Sequence, residues 1–211
     1  MTEPARTTNP WLALGSHDGE EYDARYEKRA AAGENVHGEA DFIERLGVKS
    51  VLDAGCGTGR TAREMHRRGL DVVGVDLDEQ MISVGRRKAP EIEWHCADLE
   101  TLELSRTFEC VLMAGNVMVF LTPGTEGAVL ANMAHHLEPG GLLVAGFQLQ
   151  PGGGQLVAGF QLEPDRLNLE RFDALARQAG FALADRYSTW DEDAWVEGGG
   201  YAVSVMRIER T

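Results

Sequence analysis

Three glycines at alternate positions, Gly55, Gly57 and Gly59, follow Asp53 in the stretch VLDAGCGTGR (51–60). A loop with so little side chain lets a ligand approach its backbone, because no Cβ intervenes. If a helix opens directly behind it, free N–H groups at the helix N-terminus can hold a polar ligand. The spacing narrows the ligand class. A dinucleotide loop reads GxGxxG, and Arg60 stands where the third glycine belongs. No GxxxxGK[ST] phosphate loop occurs. Asp53 ahead of the glycines discourages a diphosphate and suits a cationic ligand. Two further acids close later apolar runs, Asp76 in DVVGVD and Asp98 in IEWHCAD.

Positioning these residues falls to an alternating series of elements. SVLDAG reads as a short buried strand, and GRTAREMHRRGL as a helix closed at Gly69. DVVGVD is a strand, DEQMISVGRRKAP a helix stopped at Pro90, and IEWHCAD a strand. An acidic link, LETLELSRT, leads to the strand FECVLMAG, the helix GTEGAVLANMAHHLEPGG and the strand LLVAGFQL. NLERFDALARQAGF is a helix capped by Asn168 and ended by Gly180. ALADRYST and YAVSVMRIE, joined by WDEDAWVEGGG, are the last strands. The expected fold is α/β and doubly wound, with a mostly parallel seven-stranded sheet and helices on both faces. No helix separates the last two strands, so one antiparallel strand is expected at the sheet edge.

Residues 1–18 are expected to form a flexible arm with Trp11 and Leu12 tucked down. Residues 19–48 are expected to form a helical cover. Its first helix is charged and carries Tyr22 and Tyr26 at helical spacing; its second runs from Glu39 to Leu46, with Phe42, Ile43 and Leu46 apolar. Residues 49–211 form the core of what is expected to be a single domain. The heptad LVAGFQL occurs identically at 143–149 and 156–162, within a tandem duplication over 139–163. Two identical segments compete for one strand position. The first copy is expected in the sheet, because its link to the preceding helix is short, and the second is read as an insertion without function.

The 211 residues include 34 acidic and 20 basic side chains, a net charge of -14. Such a surface repels phosphate backbones and anionic headgroups, so neither nucleic acid nor membrane is the expected partner. The basic runs Arg67-Arg68 and Arg86-Arg87-Lys88 are read as solvated helix faces. Three cysteines without a CxxC pair fit neither a disulfide framework nor a zinc site, which points to a reducing cytoplasm and no bound metal. No signal-peptide pattern opens the chain. The apolar run Cys110–Leu121 is too short to span a bilayer.

VLDAGCGTGR resembles the first motif of the class I S-adenosylmethionine (SAM)-dependent methyltransferases, in particular the small-molecule branch. VVGVDLDEQMI, CADLETL and CVLMAGNVMVFL resemble the following motifs in order and spacing. The resemblance is strong over residues 36–147, and elsewhere extends to a Rossmann-like topology. It implies that SAM is bound and S-adenosylhomocysteine (SAH) released. It implies a glycine loop of Asp53, Gly55, Cys56, Gly57 and Gly59. It gives Asp76 the ribose hydroxyls, beside Leu77 and Met81. Asp98 takes the adenine amino group between Ala97 and Leu99. Ala114, Gly115, Asn116 and Val117 line the methionine end. Each acid has a bland alternative: a helix N-cap for Asp76, a surface loop acid for Asp98, and a brace of the glycine loop for Asp53.

The expected reaction is in-line methyl transfer to a small organic acceptor, aided by alignment and exclusion of water. His37, in NVHGEADFI, resembles a residue of the N-terminal cover near the methionine end. His37, Tyr22 and Tyr26, with Asn116, are the candidates for a general base. After the fourth strand AGNV stands in place of [ND]PP[YF], which disfavours amide and nucleobase acceptors. Two other readings stay open. One is a SAM-binding protein without transferase activity. The other is an NAD-dependent oxidoreductase, for which no tyrosine has a lysine at Tyr-x-x-x-Lys spacing. A monomer or a homodimer fits the sequence.

Overall fold

A computed structural model describes residues 9–13, 18–149 and 167–209. Among these residues seven strands form one sheet: β1 (Ser50–Ala54), β2 (Asp71–Asp76), β3 (Glu93–Cys96), β4 (Phe108–Met113), β5 (Leu137–Gln148), β6 (Phe181–Tyr187) and β7 (Tyr201–Ile208). Their order is β3-β2-β1-β4-β5-β7-β6. The pairings β1–β2, β1–β4, β2–β3 and β4–β5 are parallel. β7 runs antiparallel to both its neighbours. The single antiparallel strand is therefore the last one in the chain, and it slots between β5 and β6, leaving β6 outermost.

Alternate residues of each strand feed opposite faces, as the pleat requires. Val51, Val72, Cys110, Leu112 and Val144 pack under α3 (Gly38–Arg45), α4 (Arg60–Arg67) and α5 (Glu79–Lys88), through Phe42, Ile43, Met65 and Ile82. Leu52, Val73, Val111, Met113 and Leu143 pack under α6 (Val117–Phe120), α7 (Glu126–His135) and α8 (Leu169–Gln178), through Met118, Val129, Met133 and Phe172. Both faces are thus dry, which suits near-continuous apolar strands. The helix α2 (Gly19–Ala31) and the single turn α1 (Pro10–Ala13) lie ahead of this sandwich in the chain.

The first copy of the duplicated heptad occupies the sheet as expected; the second, at 156–162, lies outside the described residues. β5 starts earlier than its apolar run. It already pairs at Leu137 with Phe108, and Cys110 then pairs with Leu142, so Glu138–Gly141 form a bulge rather than a helix exit. The fourth strand is shorter than read: it stops at Met113, and Asn116 with φ 71° turns the chain into α6. Within the arm Pro10–Ala13 is helical; Trp11 is packed inward as expected, while Leu12 stays exposed. Residues 1–8 and 14–17 of that arm lie outside the described residues. His136, buried at the end of α7, accepts from Leu104 N–H through Nε2 and bonds Asn132 O through Nδ1, so it braces the acidic link. No helix among the described residues is long and apolar enough to cross a membrane.

Candidate functional site

β1 and β4 leave the centre of the sheet for opposite sides, and the crevice beyond their C-terminal ends is where open α/β sheets bind ligands. A cleft lies there with a volume, counted to its open mouth, of about 1030 Å³. Its core wall is made of residues at and just past the strand ends: Asp53 within β1 with Gly55, Cys56 and Gly57 after it, Asp76 closing β2 with Leu77 and Met81 after it, and Asp98 and Leu99 after β3. Ala114, Gly115 and Val117 close it after β4. The opposite wall is Asn9, Trp11, Tyr22, Phe120 and Leu121, with Arg60 and Thr61 at the start of α4.

The glycine loop differs from a nest of free donors. Gly55 and Cys56 both donate N–H to Val75 O, at 2.8 and 2.9 Å, and Gly59 donates to Cys56 O at 2.9 Å. Gly57 donates to Asp76 Oδ2 at 2.7 Å. These donors are spent on the fold, so the loop offers close approach instead. Its glycines do different things. At Gly57, φ is +57° and a Cβ would meet nothing within 4 Å, which leaves the space open to a ligand. At Gly59 a Cβ would stand 2.0 Å from the Trp94 ring, so this glycine makes room for core packing and does not line the cleft.

Asp76 is not the N-cap of α5; Asp78 is, accepting from Gln80 N–H. Asp76 instead accepts Gly57 N–H on one oxygen and Asp78 N–H, at 2.9 Å, on the other. Burial raises its pKa, against the pull of those two backbone donors. Each oxygen keeps a second lone pair, enough for a diol. Asp53 is 2% exposed, and its Oδ2 has no hydrogen-bond partner among the described residues. Burial pushes its pKa up to about 7, while Arg60 pulls it down and Glu39 and Asp76 push it further up. A buried carboxylate with one unpartnered oxygen on a cleft wall fits a cationic ligand group. Asp98 is exposed; it turns the chain by accepting Glu100 N–H at 2.9 Å and also lines the cleft. The bland and the ligand-facing alternatives for Asp98 therefore coexist in one residue.

The other expected site residues sort differently. Ala97 lies behind the wall, its N–H bonded to Asp76 O at 2.9 Å. Asn116 is buried, and its side chain accepts Gln148 N–H at 2.7 Å, tying α6 to β5. His37 precedes α3, has a buried Nδ1 without a described partner, and is not on the cleft wall. Tyr26 is also off the wall; Tyr22 is on it, with its hydroxyl 3.4 Å from that of Tyr26. Burial, and then Tyr26, hold the Tyr22 phenol well above its usual range. At neutral pH it keeps its proton and can donate.

Sequence reasoning missed Asn9, Trp11, Arg60, Thr61, Phe120 and Leu121. Trp11 donates Nε1–H to Asp78 at 3.2 Å and packs edge-on against Phe120 at 5.5 Å. Asn9 donates to Thr122 at 3.3 Å. The turn α1 thus straps the cleft from the start of α5 to the loop after α6. Arg60 bonds Glu39 at 2.7 Å and Val36 O, and stacks 4.4 Å over the Tyr26 ring. Its identity was the available signal, because an arginine directly after a glycine loop needs a carboxylate nearby. Trp11 gave no signal beyond being a tryptophan in a polar arm. The basic runs are also engaged: Arg68 bonds Asp41, Glu44 and Glu64, and Arg87 and Lys88 meet Glu20.

Residues 51–141 match the family model described as a methyltransferase domain. A TehB-like SAM-dependent methyltransferase of Corynebacterium glutamicum superposes with a TM-score of 0.75 at 32% identity, covering 89% of this chain and 96% of that one. A Streptomyces venezuelae dTDP-3-amino-3,4,6-trideoxy-alpha-D-glucopyranose N,N-dimethyltransferase is 35% identical over 98 residues, 46% of this chain and 41% of the relative. A Streptomyces fradiae dTDP-3-amino-3,6-dideoxy-alpha-D-glucopyranose N,N-dimethyltransferase is 27% identical over 151 residues, 68% of this chain and 58% of the relative. The chain spans about half the length of the curated relatives it matches.

Proposed function

The chain belongs to the class I SAM-dependent methyltransferases, and from that premise we propose that it transfers a methyl group from SAM to a small organic acceptor. When bound, SAM supplies an electrophilic methyl carbon: the acceptor's lone pair forms the new bond, the C–S pair stays on sulfur, and SAH leaves. The observation that carries the reading is the pairing of acids with a dry cover. Asp53, buried with its Oδ2 unpartnered, is suited to an ammonium group, and Asp76 to two hydroxyls. Asp98 and Leu99, further along the same wall, suit a base. Opposite stand Trp11, Phe120 and Leu121, which exclude water from the acceptor end. The chain's contribution is then alignment, the larger part of catalysis for an in-line displacement. An amine acceptor can lose its proton to solvent after transfer.

The two dTDP-amino-sugar relatives support amines as the first acceptor class to test. Three free thiols, Cys56, Cys96 and Cys110, support a cytoplasmic setting. The test is SAH release from SAM with matched acceptors: amino sugars, their hydroxyl counterparts, and small aromatic amines and phenols. Acceptor-dependent SAH with a methylated product supports the proposal. SAH binding without product from any class would favour a binding protein and contradict it.

A further inference from the structure

We propose that Asp23 is a positioning residue that couples the seating of α2 to occupancy of the glycine loop, an inference that rests on the methyl-transfer reading of the cleft. Asp23 lies off the cleft wall. Its carboxylate is 3% exposed and takes donors from three separate elements. Thr58 Oγ1–H donates at 2.5 Å from the glycine loop, Arg63 Nη2 at 2.5 Å from α4, and Lys88 Nζ at 2.8 Å from the end of α5. Thr58 is fully buried, so its hydroxyl proton has Asp23 as its outlet in place of water. Thr58 also sits between two residues in the left-handed region, Gly57 at φ +57° and Gly59 at φ +76°. The bond from Asp23 therefore fixes the loop at the point where the backbone turns most sharply.

The neighbours of Asp23 convert this bond into a lever. Tyr22, adjacent in sequence, faces the cleft. Gly19, one turn earlier, lies so close that a Cβ there would stand 2.8 Å from Val84 Cγ2 and 3.1 Å from Thr58 Cγ2. Such a close seat leaves α2 no freedom to slide. It is either docked, with Asp23 on Thr58 and Tyr22 on the wall, or lifted, with both removed together. A ligand that needs the docked form of the loop favours docked α2, and the coupling is reciprocal.

Hydrogen exchange of the full chain, read by mass spectrometry with and without saturating SAH, tests this. In the unaltered protein SAH should slow exchange along α2 about fivefold or more, with β6 as the internal reference. Thr58→Val removes the hydroxyl donor and keeps the shape. It should bind SAH about fivefold more weakly by calorimetry and lose the ligand-dependent protection of α2, and Thr58→Ser should restore both. Asp23→Asn should behave like Thr58→Val. Bound SAH with unchanged α2 exchange, or full protection in Thr58→Val, would overturn the coupling while leaving the methyl-transfer reading intact. No SAH binding by the unaltered chain would overturn both.

Discussion

The core wall of the cleft rests on strand ends, whereas the cover wall is held by side-chain bonds carried across from α1 and α2. Asp53 lies near the end of β1, Asp76 closes β2 and Asp98 follows β3, and the sheet register fixes their spacing. Trp11 and Asn9 bond Asp78 and Thr122, and Tyr22 is carried by α2, which Asp23 ties to Thr58, Arg63 and Lys88. The difference teaches a division of labour. A wall built on the sheet gives up its geometry only with the fold, and a wall held by a few long-range bonds can open without unfolding.

The largest effect should come from the core. Gly59→Ala places a methyl against Trp94 and forces a strained backbone, which should cost about 3 kcal/mol or more of stability. Gly57→Ala, with open space at the same kind of φ, should cost about 1 kcal/mol and act mainly on ligand binding. Denaturant midpoints of the two variants check the contrast; equal losses would mean that both glycines serve packing. Next, Asp76→Ala should weaken SAH by about 10- to 150-fold, the equivalent of about 1.5–3 kcal/mol. Calorimetric titration reads this directly.

Asp53 gives a pH signature. In the unfolded chain it ionises near the ordinary aspartate value of 3.8, and in the fold near 7. Between these values the fold holds a proton that the unfolded chain has lost, so rising pH removes stability across that window. Asp53→Asn should flatten that slope in denaturant titrations between pH 4 and 8. A cationic ligand favours the ionised form, so SAH should bind more tightly as pH rises through about 7, and Asp53→Asn should lose that dependence. The smallest effect belongs to the cover. Tyr22→Phe removes a long 3.4 Å bond and a phenol that keeps its proton. Turnover should change by about twofold, near 0.5 kcal/mol. A much larger loss would return Tyr22 to the chemistry.

The core wall was legible in the sequence for the same reason that it is rigid. Its residues follow short apolar runs, so the alternation of elements places Asp53, Asp76 and Asp98 along one edge without any tertiary knowledge. Asn116 turns inward to Gln148 because β4 stops at Met113, and the left-handed turn that follows is a tertiary choice that the run FECVLMAGNV does not signal. Gly59 reads as a ligand glycine until Trp94, 35 positions away, is seen filling its space. The cover was hardly legible, because its contacts join residues such as Trp11 and Asp78 that share no local pattern. Asp23 looks like one more acid on a charged helix, and only the fold gathers Thr58, Arg63 and Lys88 around it.

The central claim is that the glycine loop and Asp76 hold the nucleoside of SAM. Its most direct test is calorimetric titration of the protein with SAH, with NAD in parallel and Asp76→Ala as control. The account expects micromolar SAH binding, lost or strongly weakened in Asp76→Ala and absent for NAD. Binding of NAD without SAH, or SAH affinity unchanged in Asp76→Ala, would contradict it.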